Sequence, residues 1–453
     1  MFKVNEIIQS TQGVLMQGSL AEEISGICTD SRNLKPHEAF LALRGKNFDG
    51  HDFITQAIKS KATCLIVEKE LPALIPAAVT VIKVKDSVLA LGDIARFQRQ
   101  KINLPVVAVT GSNGKTTTKE MIAWVLSARG KVLKNEGTKN NQIGLPQTLI
   151  PLTKKDNFAV VEIGTNHFGE VDYLAKIARP NISVITNIGP SHLEFLRNLK
   201  GVLKEKSALL NNLAEPAIAL LNADDQSLKS LIKSKSKERK ILSYGINEKS
   251  DFRASEVKLK NGKAEFKVNS KFNFELSTLG GYNIYNALAA IAVGRILGLS
   301  YPQMRARLSI FKFPQGRLNL VESRGLRFID DTYNANPLSL KVALDAFKVM
   351  DCEGRKILIL GDMLELGEQK ELLHRQIAWS ITNTCDLLIA VGTLARITAC
   401  AARKNGWSAK QVFCCPDALA ARDLLSAKIS AKANDLILVK GSRSMKMEEV
   451  LGT

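Results

Sequence analysis

Short apolar runs that stop on a polar residue or a glycine govern what this chain can fold into. PVVAVT (105–110), NFAVVEIG (157–164), NISVITNIG (181–189) and PAIALLNADD (216–225) share that form. GRKILILGD (354–362), CDLLIAVG (385–392) and NDLILVKGSRS (434–444) repeat it later in the chain. Runs this short and this uniformly apolar suit strands buried on both faces of a largely parallel sheet. Helical patterns fall between them, so the fold class is α/β. Ligands of such sheets bind beyond the carboxyl ends of the strands, which makes the residues closing each run the ones to weigh.

Texture divides the chain of 453 residues into three regions. Residues 1–84 carry short runs such as ATCLIVE and the loop TDSRNLKPHEAFLALRGKNFDGHDF. Residues 85–313 alternate strand and helix, and 314–453 resume the same style after Pro314 and Gly316. The fold expected is a small N-terminal α/β domain, a central P-loop-type, mostly parallel sheet, and a C-terminal Rossmann-like domain.

The stretch VVAVTGSNGKTTTKEM (106–121) joins a buried strand to a helix through a glycine turn. Met121, Trp124, Val125 and Ala128 share a helical face, and Gly130 marks its expected end. The amides of Gly111, Ser112, Asn113 and Gly114 can meet phosphate oxygens at the helix N-terminus. Lys115 can reach the terminal phosphates, Thr116 offers Mg²⁺ a hydroxyl, and Thr117 continues the loop. The spacing departs from the usual phosphate loop, because the position for the first glycine holds Val109. Two more strand ends contribute Glu162, a candidate second anchor for Mg²⁺, and His192.

The net charge of +19 invites a nucleic-acid partner or polyanionic substrates. No helix-turn-helix, zinc-finger or RNP pattern accompanies it, so no nucleic-acid partner is expected. The basic run KSKSKERK (233–240) reads as a solvated loop. No apolar run reaches the roughly 18 residues of a membrane span, and the first residues lack a secretory core. Seven cysteines without a C-x-x-C pair suit reduced thiols, and a cytoplasmic location and a monomer are expected.

These motifs together resemble the Mur ligases, the ATP-dependent enzymes that build the peptide of bacterial cell walls. TGSNGKTTTKEM resembles their shorter loop G-[TS]-[NS]-G-K-[TS], in which Gly111 is the first glycine. TKNNQIGLP (138–146), EIGTNHFGE (162–170), GGYNIYNALAA (280–290), FPQGR (313–317), DDTYNANP (330–337), GDMLELG (361–367) and KGSRS (440–444) extend the resemblance over essentially the whole chain. NH-x-GE, YNANP and GDMLELG are similar to the member that adds D-alanyl-D-alanine to UDP-N-acetylmuramoyl-tripeptide. The resemblance implies ATP, two Mg²⁺ and those two substrates as ligands.

It also implies roles by position. Lys115 contacts the γ-phosphate, Asn141 lies near the reacting phosphate, and Asn283 and Asn286 frame the adenine. Thr116 and Glu162 hold one Mg²⁺, while His192 and Glu162 help to hold the other. Arg317 and Asp331 reach back to phosphate and ribose. Ser31 and Arg32 fall in the uridine-nucleotide domain, with Asn140, Asn166 and His167 as further substrate residues. Asn334, Arg443 and Ser444 fall where the dipeptide binds. Several members carbamylate a lysine downstream of the histidine, and of Lys204 and Lys206 the spacing favours Lys206. Folylpolyglutamate synthase has a similar ATP loop but no separate N-terminal UDP-sugar domain.

Overall fold

The computed structural model describes residues 1–45, 48–71, 75–234, 239–260 and 262–452. Its framework is three separate sheets along the chain plus a two-stranded pair at the start. The first large sheet orders its strands Val14–Gln17, Thr80–Lys83, Cys64–Val67, Ala39–Leu41 and Ile27–Cys28. Only Val14–Gln17 runs antiparallel to its neighbour. Phe40, Leu65 and Val81 pack one side of this sheet, and Leu41, Ile66 and Ile82 the other.

The central sheet has nine strands. Val106–Thr110 lies between Phe158–Glu162 and Ile182–Ile185, parallel to both. The chain crosses to opposite sides after this strand, which leaves a crevice over its carboxyl end. All five of its residues are buried, as two-sided coverage requires. The helix Lys115–Leu126 follows, packed against the helix Tyr282–Ile296. The first helix ends at Leu126, ahead of Gly130. Gly130 instead serves the next turn at φ +156, where a Cβ would meet the Asn157 side chain. Phe252–Lys260, Lys263–Val268 and Phe272–Ser277 close the sheet as an antiparallel meander. This departs from the strand–helix alternation expected through residue 313.

The last sheet orders Asn319–Ser323, Leu326–Asp331, Leu436–Lys440, Lys356–Gly361, Leu387–Val391 and Val412–Cys415. All but the first edge strand are parallel. Asp331 and Lys440 are register partners at the carboxyl ends of adjacent strands. The basic run is not one loop: Lys233 ends the helix Lys229–Lys233 and Lys240 begins a strand. Residues 235–238 lie outside the described residues. Among the described residues no helix is long and apolar enough to cross a membrane.

Arg99, 5% exposed on the helix Ser87–Lys101, ties that helix to the central unit. It donates to the carbonyls of Ala178, Ile102 and Arg179 and to Asn181 Oδ1, at 3.1–3.3 Å. Burial pulls its pKa down to about 10, still far above neutral pH. Arg99→Ala removes all four bonds, leaving Asn181 Oδ1 only the Val106 amide and the Ile102 carbonyl only the Leu104 amide, and is expected to cost about 2–3 kcal/mol, read as a lower thermal midpoint.

Candidate active site

The glycine turn is shaped by its neighbours. Gly111 has φ +147, and a Cβ there would lie 1.9 Å from Thr186 Oγ1. Gly114 has φ +78 and starts the helix, and its Cβ would lie 2.7 Å from Asn286 Oδ1. The loop is held from outside as well. Asn113 N–H donates to Asn187 Oδ1 at 3.0 Å, and Ser112 Oγ donates to the Gly189 carbonyl at 3.0 Å. Lys115 folds back, donating to the carbonyls of Gly111 at 2.9 Å and Ser112 at 3.3 Å. Desolvation lowers its pKa, with Glu162 opposing and Arg317 adding to the shift.

A cleft of 570 Å³ opens over this turn. The central unit lines it with Ser112–Thr117, Asn140, Glu162, Asn166, His192, Asn283 and Asn286. The C-terminal unit lines the opposite wall with Arg317, Asp331, Asn334, Arg443 and Ser444. Asn286 accepts from Thr118 Oγ1 at 2.9 Å and donates to Asn283 Oδ1 at 2.8 Å, a chain that orders this end of the cleft. Arg317 donates to Thr116 Oγ1 at 3.1 Å and stacks over the Tyr333 ring at 3.6 Å. Lys440, 1% exposed, pairs with Asp331 at 2.5 Å and donates to the Asn334 carbonyl at 2.9 Å.

Glu162 is 2% exposed. Its Oε1 accepts from Asn140 Nδ2 at 2.8 Å, while Oε2 is buried without a partner. Lys206 is 1% exposed, whereas Lys204 on the same helix is exposed. Burial pushes the Lys206 ammonium well below the ordinary lysine range, and Lys115 pushes the same way. His192 stands at φ +53, its Nδ1 2.6 Å from Glu365 Oε2. Burial lowers the imidazole pKa, and the bond to Glu365 opposes that shift.

Other residues stand outside the cleft lining. Gly111 lies beneath it, offering its carbonyl to Lys115. Asn141 Oδ1 accepts from the Ile143 and Gly144 amides at the start of a short helix. His167 packs against Phe195, with ring centroids 4.3 Å apart and the planes tilted by 42°. Ser31 donates to Gln56 Oε1 at 3.0 Å, and exposed Arg32 pairs with Asp30 at 2.8 Å. Their loop is tethered to the central unit by Gln147 Nε2, which donates to Thr29 Oγ1 at 2.7 Å. Tyr333, Asn336, Glu365 and Lys440 also line the cleft. Each sits in a stretch singled out above, yet none was singled out itself.

A cleft between two α/β units, with a glycine turn at a helix N-terminus on one wall, suits a nucleotide, and the matched families make the chain a ligase. The Mur ligase family, catalytic domain, matches residues 23–99, the Mur ligase middle domain 109–294, and the Mur ligase, glutamate ligase domain, 316–443. The UDP-N-acetylmuramoyl-tripeptide–D-alanyl-D-alanine ligase of Bacillus subtilis is 35% identical, covering 99% of this chain and 97% of its own. The crystal structure of MurF from Acinetobacter baumannii superposes with a TM-score of 0.90 at 31% identity, covering 100% of this chain and 98% of its own. The MurF ligase of Thermotoga maritima, solved in complex with ADP, superposes with a TM-score of 0.82 at 29% identity, covering 94% of this chain and 96% of its own. The chain belongs to the Mur ligase family.

Gly111→Ala is expected to weaken ATP binding at least about tenfold, since the new methyl drives the turn off Thr186 in a strained backbone region. Gly137, at φ +52 with nothing within 4 Å of its Cβ, is the control. Gly137→Ala is expected to change affinity less than about threefold, both read by isothermal titration with an ATP analogue.

Proposed function

We propose that this chain joins D-alanyl-D-alanine to UDP-N-acetylmuramoyl-tripeptide, forming an amide bond at the expense of ATP in peptidoglycan precursor synthesis. The observation that carries the reading is the two-walled cleft, with Lys115 and the loop amides facing Arg317, Asn334 and Arg443. By this reading residues 1–84 hold the UDP-sugar, 85–313 bind ATP, and 314–453 bring the dipeptide.

The tripeptide carboxylate attacks the γ-phosphorus, the bond to the β-bridging oxygen breaks, and ADP leaves an acyl phosphate. The dipeptide amine then attacks the acyl carbon, loses a proton, and expels phosphate. The first step brings anion to anion, so cations must face the phosphates. Lys115 supplies one by releasing the Gly111 and Ser112 carbonyls, and Arg317 supplies another from the C-terminal wall. Asn283 and Asn286 frame the adenine, and Asp331, held by Lys440, reaches the ribose. Asn334, Arg443 and Ser444 receive the dipeptide, and Ser31 and Arg32 belong to the uridine site. With both walls in place the acyl phosphate is kept from water.

The orphaned Glu162 Oε2 and the Thr116 hydroxyl fit Mg²⁺ together with phosphate oxygens. Among the described residues no group of three His, Cys, Asp or Glu could hold a metal by itself. That accords with an ion that arrives with the nucleotide and keeps phosphate and water ligands. Bound there, Mg²⁺ would neutralise charge on the phosphates. His192 and Lys206 complete a second such site. Burial disfavours the Lys206 ammonium, and a carbamate, formed when the deprotonated amine adds to CO₂ and loses a proton, would put an anionic oxygen ligand in its place.

Two experiments test this. Incubated with ATP, Mg²⁺, D-alanyl-D-alanine and either tripeptide form, the protein is expected to give a product heavier by one dipeptide less water; efficient ligation of a single amino acid instead would point to a sister activity. Lys115→Ala is expected to lower phosphate release by at least about a thousandfold, and near-normal release would refute the assignment of the loop.

A further inference from the structure

The GDMLELG stretch divides between two tasks. Asp362 turns into its own unit, accepting from the Thr393 amide at 3.2 Å and the Ala395 amide at 2.7 Å. Glu365 turns outward across the cleft. Its Oε2 lies 2.6 Å from His192 Nδ1, a contact between residues 173 positions apart. The backbone repeats it: Glu194 N–H donates to the Glu365 carbonyl at 3.3 Å. Gly367, at φ +59, comes so near that a Cβ would lie 3.1 Å from Glu194 Cα.

Both partners occupy backbone that non-glycine residues seldom adopt, His192 at φ +53 and Glu365 at φ +60. Two such residues meeting head to head indicate loops shaped for the contact. A carboxylate can only accept from Nδ1, so Nδ1 carries the proton, and in the neutral ring Nε2 keeps its lone pair. Among the described residues Nε2 makes no hydrogen bond. Histidines that bind metals are commonly oriented this way, by a carboxylate on the other ring nitrogen.

We propose that Glu365 is a positioning residue for His192. Supplied by the C-terminal unit, it holds the imidazole with Nε2 free for a cation, so that docking of this unit completes the His192 side of the site. The inference rests on the proposed role of His192 in cation binding.

The test counts Mn²⁺ bound by the full chain with a non-hydrolysable ATP analogue, using electron paramagnetic resonance, so no turnover is needed. The variants are Glu365→Ala, Glu365→Gln and His192→Ala, with thermal midpoints to verify folding. Glu365→Ala is expected to weaken the second Mn²⁺ by about 10–100-fold and to leave the first unchanged. Glu365→Gln, whose amide oxygen still accepts from Nδ1, is expected to stay within about threefold of wild type. In turnover, Glu365→Ala is expected to raise the Mg²⁺ requirement while kcat recovers at saturating Mg²⁺. If His192→Ala loses the second ion and Glu365→Ala does not, the positioning role is wrong and the role of His192 stands. If His192→Ala binds Mn²⁺ as wild type does, the cation role of His192 is wrong and the inference falls with it.

Discussion

The turn after Val106–Thr110 has to leave a sheet that is filled on both sides. The strand has parallel neighbours at either edge and buried residues throughout, so its exit passes directly beside Thr186 and Asn187 on the next strand's loop. Only a residue without a Cβ fits at 111. What results is a stretch of bare backbone at a helix N-terminus, with amides available to an anion. The second wall has to approach this turn closely for anything to happen there. Arg317 on Thr116, and Asn336 Nδ2 on Asn113 Oδ1 at 2.7 Å, bring it within hydrogen-bond reach.

Charge in the cleft and in the buried layer beside it, where Lys206 lies outside the lining, is balanced unevenly. Lys440 is as buried as Lys206, but Asp331 and the Asn334 carbonyl satisfy it. Lys206 has no carboxylate within ion-pair distance among the described residues, and its charge is disfavoured accordingly. Glu162 has the complementary deficit, one buried oxygen with nothing donating to it. A protein rarely leaves such groups unmatched unless a ligand supplies the match. A cation beside Glu162 and phosphates beside Lys115 would do so together.

The strands of the central and C-terminal sheets were legible because apolar runs are local and short. PVVAVT, NFAVVEIG and NISVITNIG became neighbouring strands, and their terminal residues reached one crevice. The meander at 252–277 was passed over because its strands are not uniformly apolar: KAEFKV buries only every second residue, and the preceding strand is interrupted by the bulge between Ser255 and Lys258. Glu365 was legible as part of a motif but not as a partner of His192. A contact across 173 positions leaves no periodicity to read. Asn336 was hidden for the same reason, since its local role, capping the helix Pro337–Val349, accounts for it without Asn113.

These long-range contacts have a common property: each joins a residue already fixed by its own unit to one fixed by the other. Asn336 is held by Ser339, Asn113 by Asn187, and Arg317 by stacking on Tyr333. Docking the units therefore orders few additional groups, which keeps its entropic cost low. It also means that a polar atom on each wall loses a partner when they separate. Water can replace the hydrogen bonds of exposed Glu365, but it restores neither the geometry of Thr116 nor that of His192. The backbone of the loop is thus held within the central unit by Asn187 and Gly189, whereas the Thr116 hydroxyl and the His192 imidazole take their orientation from the docked pair of units.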